Sequence, residues 1–370
     1  MPMRIRAVVV PRRWRIVLAV VLAAALSALP TDYYLLLPGV TTEMAPMVEV
    51  EGGGESPTGS FLLTSVYTRK ALGITYLIGA FHPGIELISQ DKLIPEGWDI
   101  ERYQQHLREL MQASHDTARV VALREAGYPV RTLGEGVKII AVLEDSPAKG
   151  LLQEGDTIVS LEGELVFMAE DLVTLVQERK PGDQVKLVVK RPGRPEAVEI
   201  VVPTTSHSEA PGRAALRILI SSLDWKAELP REIKVNTADI GGPSAGLVLT
   251  LEMIDQLLPQ NLTGGWQVAG TGTISLRGAV GPVGGVKQKA ISARKSGAEI
   301  FLVPVANYEE ALAGGGRALR VVPVRNLEEA MAFLRALPPK PAAEDANPGG
   351  KGREREREGD PLREGKSLRD

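Results

Sequence analysis

The apolar and polar positions of this chain change period several times, and each change marks a boundary. From Ile16 to Leu29 the run is apolar with no polar face, a pattern that suits a membrane-inserted helix better than one packed on a core. Arg4, Arg6, Arg12, Arg13 and Arg15 precede it without an acidic residue, and a basic flank before an apolar run is an export signal. Trp14 and the patch Tyr33-Tyr34-Leu35-Leu36-Leu37 lengthen the run towards the roughly 20 residues of a transmembrane helix and supply interfacial aromatics. An uncleaved single-pass anchor over residues 1–38 is favoured over a cleaved leader, because Ala25 to Ala28 make a poor cleavage site. The arginine-rich end then stays in the cytoplasm, and everything after Pro38 lies outside the cell membrane.

Residues 39–117 are mixed. Phe61 to Tyr67 has β-type composition after the turn residues Ser56-Pro57-Thr58-Gly59, Thr75 to Ile78 reads as a short strand, and Asp99 to Gln112 reads as a helix. His106 and His115 lack an HExxH or comparable ligand set, so they read as helix-surface histidines and no metal site is expected. Between residues 118 and 204 the order sharpens: strand Val137 to Val142, then Ser146-Pro147-Ala148, Gly150-Leu151-Leu152 and Glu154-Gly155-Asp156-Thr157-Ile158-Val159, a helix Met168 to Arg179, and strand Gln184 to Arg191. Residues 205–338 alternate strands and helices, with helices at Ser244 to Leu258 and Val286 to Ser296, strands at Trp266 to Ile274, Glu299 to Pro304 and Leu319 to Val324, and a last helix capped by Asn326 and Glu329. Residues 339–370 are proline, glycine and charge, which cannot bury a core, so a disordered tail is expected. The alternation argues an α/β or α+β domain, and the fold class expected for the chain is α+β.

Composition narrows the function classes. With 370 residues, 44% hydrophobic and 4% aromatic, the chain suits two or three modest domains. A net charge of -3 with scattered basic residues gives no case for nucleic acid. No cysteine means no thiol catalysis, disulfide or zinc-thiolate site. The tail's GDPLREGKS misses the phosphate-loop spacing by one residue, so no nucleotide and no cofactor is expected.

Two stretches carry candidate chemistry: GGPSAGL, Gly241 to Leu247, and GGVKQKA, Gly284 to Ala290. Ser244 sits where a glycine-rich turn enters an apolar helix, which leaves free N–H groups and a positive helix end beside its hydroxyl. A serine hydroxyl needs a base, and a lysine serves only where burial lowers its pKa. At about 100° per residue, Lys289 falls at the margin of the apolar stripe of its helix, whereas Lys287 falls beside Arg294 on the charged side. Geometry therefore selects Lys289.

The SPA, GL and GD-x-I-V-x-L-x-G pattern resembles a PDZ domain. That resemblance implies strand addition, in which an extended peptide pairs with an open sheet edge and its carboxylate meets a glycine-bearing loop. Here the loop would be Leu133-Gly134-Glu135-Gly136 and the edge strand Val137 to Ile140. GGPSAGL, the segment Gly270 to Gly278 and the run Val280 to Lys289 together resemble the proteolytic domain of Lon-type proteases. With the anchor and the PDZ domain, the chain before its tail resembles the membrane-anchored, PDZ-containing Lon-like proteases. The resemblance implies a Ser-Lys dyad of Ser244 and Lys289, a supporting Thr271, and a protease domain that begins near Phe61, with the PDZ domain inserted in it rather than preceding it. The expected activity is ATP-independent, extracytoplasmic endopeptidase cleavage of exposed or unfolded polypeptides. The alternative is a membrane-tethered PDZ adaptor whose protease-like domain is silent.

Overall fold

The computed structural model describes residues 13–18, 20–21, 29–54, 56–95, 97–206, 212–223, 225–237 and 240–341. All but the first three residues of the expected tail lie outside them. In chain order the elements that matter for function begin with β1 (Pro30–Glu43), β2 (Ser60–Leu72), α1 (Gly73–Phe81), β3 (Glu86–Ser89) and α2 (Ile100–Glu125). Next come β4 (Val137–Val142), β5 (Thr157–Leu161), α3 (Ala169–Gln177), β6 (Gln184–Lys190), β7 (Val198–Pro203) and β8 (Ile218–Ser222). The last group is α4 (Gly246–Leu257), β9 (Gln267–Gly270), β10 (Thr273–Ile274), β11 (Val280–Gly281), α5 (Val286–Lys295), β12 (Ile300–Pro304), α6 (Tyr308–Gly315), β13 (Arg320–Val324) and α7 (Leu327–Arg335).

One mixed sheet has the order β13-β12-β9-β2-β1-β3, with β2, β9, β12 and β13 parallel and β1 antiparallel to both its neighbours. Its central strands are apolar without alternation because helices cover both faces. Phe61, Leu63, Val268, Ile300 and Leu302 pack in one core with α2 and α4. Their sequence neighbours Leu62, Ala269, Phe301 and Val303 pack in another with Val286, Ala290, Ala293 and Ala311 of α5 and α6. Period-two side-chain direction sends successive residues to opposite faces.

A second, antiparallel sheet, β7-β6-β5-β4-β8, falls in sequence between the two groups of strands that build the first. Its core holds Val137, Ile139, Ile158, Leu175 and Leu187, with α3 packed across it. The Gly155-Asp156 pair of the sequence pattern has a structural role here. Gly155 has φ +85°, and the fully buried Asp156 accepts from Arg191 Nε at 2.9 Å and Nη2 at 2.7 Å, a bidentate geometry that compensates the burial of both charges.

Three expectations are corrected. Among the described residues no helix is long and apolar enough to cross a membrane, against the expected N-terminal transmembrane helix. Residues 13–18 and 20–21 are helical, but the Tyr33 to Leu37 patch credited with lengthening that helix belongs to β1, where Tyr34, Leu35 and Leu36 are buried between β2 and β3. Residues 22–28 of the apolar run lie outside the described residues. Thr75 to Ile78 lies in helix α1, not in a strand.

The third correction concerns the PDZ-like edge. β4 is not an open edge: Val137 and Lys138 pair with β5, while Val137 to Val142 pair with β8. Leu133 and Gly134 are in a short strand paired with Trp225–Glu228, and the Gly136 carbonyl accepts from Leu223 N. Gly136 is a glycine because an added Cβ would come within 2.3 Å of the Ile158 carbonyl oxygen at a φ of +110°, a close backbone approach. Leu133, Gly134, Gly136 and Val137 therefore do not line a free peptide edge. Among the described residues β8 pairs with β4 alone, so β8 is an open edge, as is β7 at the other end of this sheet.

Candidate active site

The Ser244 loop is held from three sides. Gly242 takes φ +90°, a conformation glycine adopts without strain, and its N–H donates to Leu107 O at 2.7 Å. Pro243 to Ala245 form a single 3-10 turn that runs into α4. Ser114 Oγ of α2 donates to Pro243 O at 3.2 Å. On the far side Gly272 N donates to Ser244 O at 2.9 Å, and Leu247 N donates to Gly272 O at 3.1 Å. These bonds tie the turn to the segment between β9 and β10.

Lys289 approaches from α5, whose partners are the apolar face of the mixed sheet and α6. Its ammonium donates to Ser244 Oγ at 2.8 Å and to Thr271 Oγ1 at 3.1 Å. Thr271 Oγ1 in turn donates to Ser244 O at 3.2 Å, so one hydroxyl fixes both the lysine head and the serine backbone. Lys289 is 3% exposed and Thr271 is fully buried. Burial lowers the Lys289 pKa from 10.5 to about 8, opposed in part by the charge of Glu310. At pH 7 about one lysine in ten is then neutral, against fewer than one in a thousand for an exposed amine. The structure thus brings Ser244, Lys289 and Thr271 together, although they stand on three different elements. Among the described residues no group of three or more His, Asp or Glu is arranged to hold a metal ion.

The helix-surface reading of the histidines holds for His106, whose side chain is 42% exposed on α2, and not for His115. The His106 ring stands edge-on to Trp98 at 5.3 Å. His115 is 5% exposed and lies 3.1 Å from Thr237 Oγ1; burial pushes its pKa down to about 4, so it is neutral at pH 7. It braces the segment that leads into the Ser244 loop, one residue from Ser114. A signal for this existed: Met111, Ser114, Ala118, Val121 and Ala122 continue helical spacing well beyond Gln112.

Removing the Thr271 hydroxyl while keeping its shape tests its part. Thr271→Val is expected to lower kcat/KM about tenfold, the value of one charge-assisted hydrogen bond, with little change in unfolding midpoint.

The second sheet presents its own concavity. Between the open edge β8 and α3 lies a cavity of about 230 Å³, walled by Leu172, Val176, Leu216, Ile218 and Ile220. Arg217, which also lines it, has φ +53°, pairs with Asp145 at 2.6 Å and keeps its Nε buried without a hydrogen-bond partner among the described residues. On the opposite side of α3 a larger cleft of about 560 Å³ is bounded by Glu178 and Arg213 on one wall and Thr273, Pro282 and Arg325 on the other. Val173 and Gln177 line both spaces, so α3 is a partition between the PDZ-like groove and a cleft that begins two residues from Thr271.

Comparison with known proteins matches two segments of the chain. Residues 236–333 match the Lon protease (S16) C-terminal proteolytic domain, and residues 111–202 match a PDZ domain. A probable periplasmic serine endoprotease DegP-like from Pseudomonas fulva is 40% identical over 84 residues, 22% of this chain and 18% of that one. Lon protease of Phenylobacterium zucineum is 33% identical over 103 residues, 28% of this chain and 13% of that one. The PDZ domain of an SdrC-like protein from Listeria innocua aligns at 28% identity and TM-score 0.21, covering 23% of this chain and 92% of that one. The chain spans less than a fifth of the length of these curated relatives. It contains a Lon-type serine peptidase domain and a PDZ domain. The open edge strand β8 lies beyond the matched PDZ segment.

Proposed function

We propose that the protein is an ATP-independent serine endopeptidase that works outside the cytoplasm on exposed or unfolded polypeptides, with Ser244 as nucleophile and Lys289 as general base. The observation that carries this reading is the buried Lys289 Nζ, 2.8 Å from Ser244 Oγ. In the neutral form the amine accepts the serine proton as Oγ attacks a peptide carbonyl. The positive end of α4, which begins two residues after Ser244, favours the developing oxyanion. The resulting ammonium, held by Thr271 Oγ1, returns the proton to the leaving amine. An acyl-serine remains, and water activated by the same amine releases it. The β8 and α3 groove takes an extended segment of the polypeptide by strand addition, with apolar side chains between Val176 and Ile220.

Cleavage of an unfolded test protein decides the reading. Ser244→Ala is expected to leave no cleavage above background, and a variant that cuts at the parent rate refutes it. For the groove, Ile220→Ser is expected to raise KM for the protein substrate about tenfold, while a short peptide is cut at the parent rate. Equal KM values would remove the groove from substrate binding. The location is tested by adding protease to intact cells: an extracytoplasmic chain is degraded, and a protected one is not.

A further inference from the structure

Helix α1 is apolar on a side that is exposed among the described residues. Its inner side is set by Gly79, where an added Cβ would come within 2.7 Å of Leu35 Cδ2, and by Tyr76, whose ring meets Tyr33 at 5.0 Å. At about 100° per residue, Ile74, Leu77, Ile78 and Phe81 fall on the opposite side. Leu77 is 45% exposed, Ile78 55% and Phe81 87%, and the sequence Gly73 to Phe81 holds no charged residue. A surface helix normally turns charge to water.

The surroundings say what covers it. Arg69 pairs with Leu35 and Tyr67 with Leu37, so both share the sheet face on which α1 lies; both are exposed. The apolar run Ile16 to Leu29 ends against the same helix, with Gly73 N donating to Leu29 O at 2.9 Å. Its described residues Ile16, Val17, Leu18, Val20 and Val21 are more than half exposed, and Arg13 and Arg15 accompany them. The strands beside α1 and the turn after β3 carry three exposed carboxylates, Asp32, Glu86 and Asp91. Apolar side chains beside arginine, continuous with an uncharged apolar segment, fit a lipid surface rather than a protein groove.

We propose that the outer side of α1, with Tyr67 and Arg69 beside it, rests on an anionic lipid bilayer, Leu77, Ile78 and Phe81 entering the boundary between headgroups and acyl chains. This surface needs no spanning helix and is independent of the peptidase reading. It sets the face of the mixed sheet that carries α1 towards the lipid and the face that carries Lys289 away from it.

Because the chain has no cysteine, Phe81→Cys can be labelled at one site with an environment-sensitive dye, and Arg194→Cys on the second sheet serves as control. Full-length protein is mixed with vesicles of phosphatidylcholine containing phosphatidylglycerol, with or without brominated acyl chains. The expected result is a blue shift at position 81 that brominated lipid quenches, and no change at position 194. In the unlabelled chain, Leu77→Ser, Ile78→Ser and Phe81→Ser together should weaken vesicle partition tenfold or more. Arg69→Gln should weaken it about fivefold on phosphatidylglycerol vesicles alone. An unchanged urea unfolding midpoint certifies the fold of each variant. A chain that ignores the vesicles overturns the proposal. So does a label at position 81 that stays in water while the chain is bound, or that becomes shielded without lipid as protein concentration rises, the mark of a second copy.

Discussion

Lys289→Met is expected to lower peptide cleavage about 10⁴-fold or more while leaving the protein folded. Methionine keeps an unbranched apolar stem in a site already nearly sealed from solvent, so the packing of α5 against the sheet survives. What disappears is the only base within hydrogen-bonding reach of Ser244 Oγ among the described residues, and loss of a base that works as a unit with its nucleophile removes most of the catalysis. The parent's pH profile follows from the same lysine. Its pKa is lowered by burial to about 8, and the reactive form is the neutral one. The rate should therefore rise about tenfold per unit up to pH 8 and level off above it. His115, neutral through this range, does not contribute a second limb. A flat profile between pH 6 and 9 would exclude Lys289 as the base.

Gly314→Ala is the second large effect, and it acts from outside the site. Gly314 lies in α6 where an added Cβ would stand 2.2 Å from the Lys287 carbonyl oxygen and 3.0 Å from Ala290 Cβ. Both atoms belong to α5 on either side of Lys289, so the methyl group pushes the helix that aims the amine. Overpacking of this kind costs about 1–3 kcal/mol, and a misplacement of about 1 Å at reacting atoms costs about 100-fold in rate. Urea unfolding and kcat measured on the same preparation test both parts. An unchanged midpoint with an unchanged rate would show that α5 and α6 can separate without moving Lys289.

The residues that meet in the candidate site were more legible in the sequence than the fold around them. A glycine-rich turn entering an apolar helix pointed to Ser244, and the position of Lys289 at the edge of an apolar stripe separated it from Lys287; both arguments are local. Thr271 came only from resemblance, because its role depends on β9 lying beside the Ser244 turn, a long-range pairing that no window of sequence records. The β4 edge failed for the same kind of reason. A strand of the right composition looks the same whether its second side is open or paired, and the partner β8 lies some eighty residues later, beyond Thr204. Tyr33 to Leu37 failed differently. A strand buried on both faces is as continuously apolar as a membrane segment, so composition could not distinguish β1 from the end of a transmembrane helix. His115 was missed because its helix was stopped at Gln112, although the apolar spacing runs on to Leu123.

The most direct test of the catalytic account is covalent labelling of the full chain with a serine-directed phosphonylating probe, mapped by mass spectrometry across a pH series. The account predicts an adduct on Ser244 whose rate of formation rises through about pH 8 and is lost in Lys289→Met. An adduct absent from Ser244, or one formed equally fast in Lys289→Met, would contradict it.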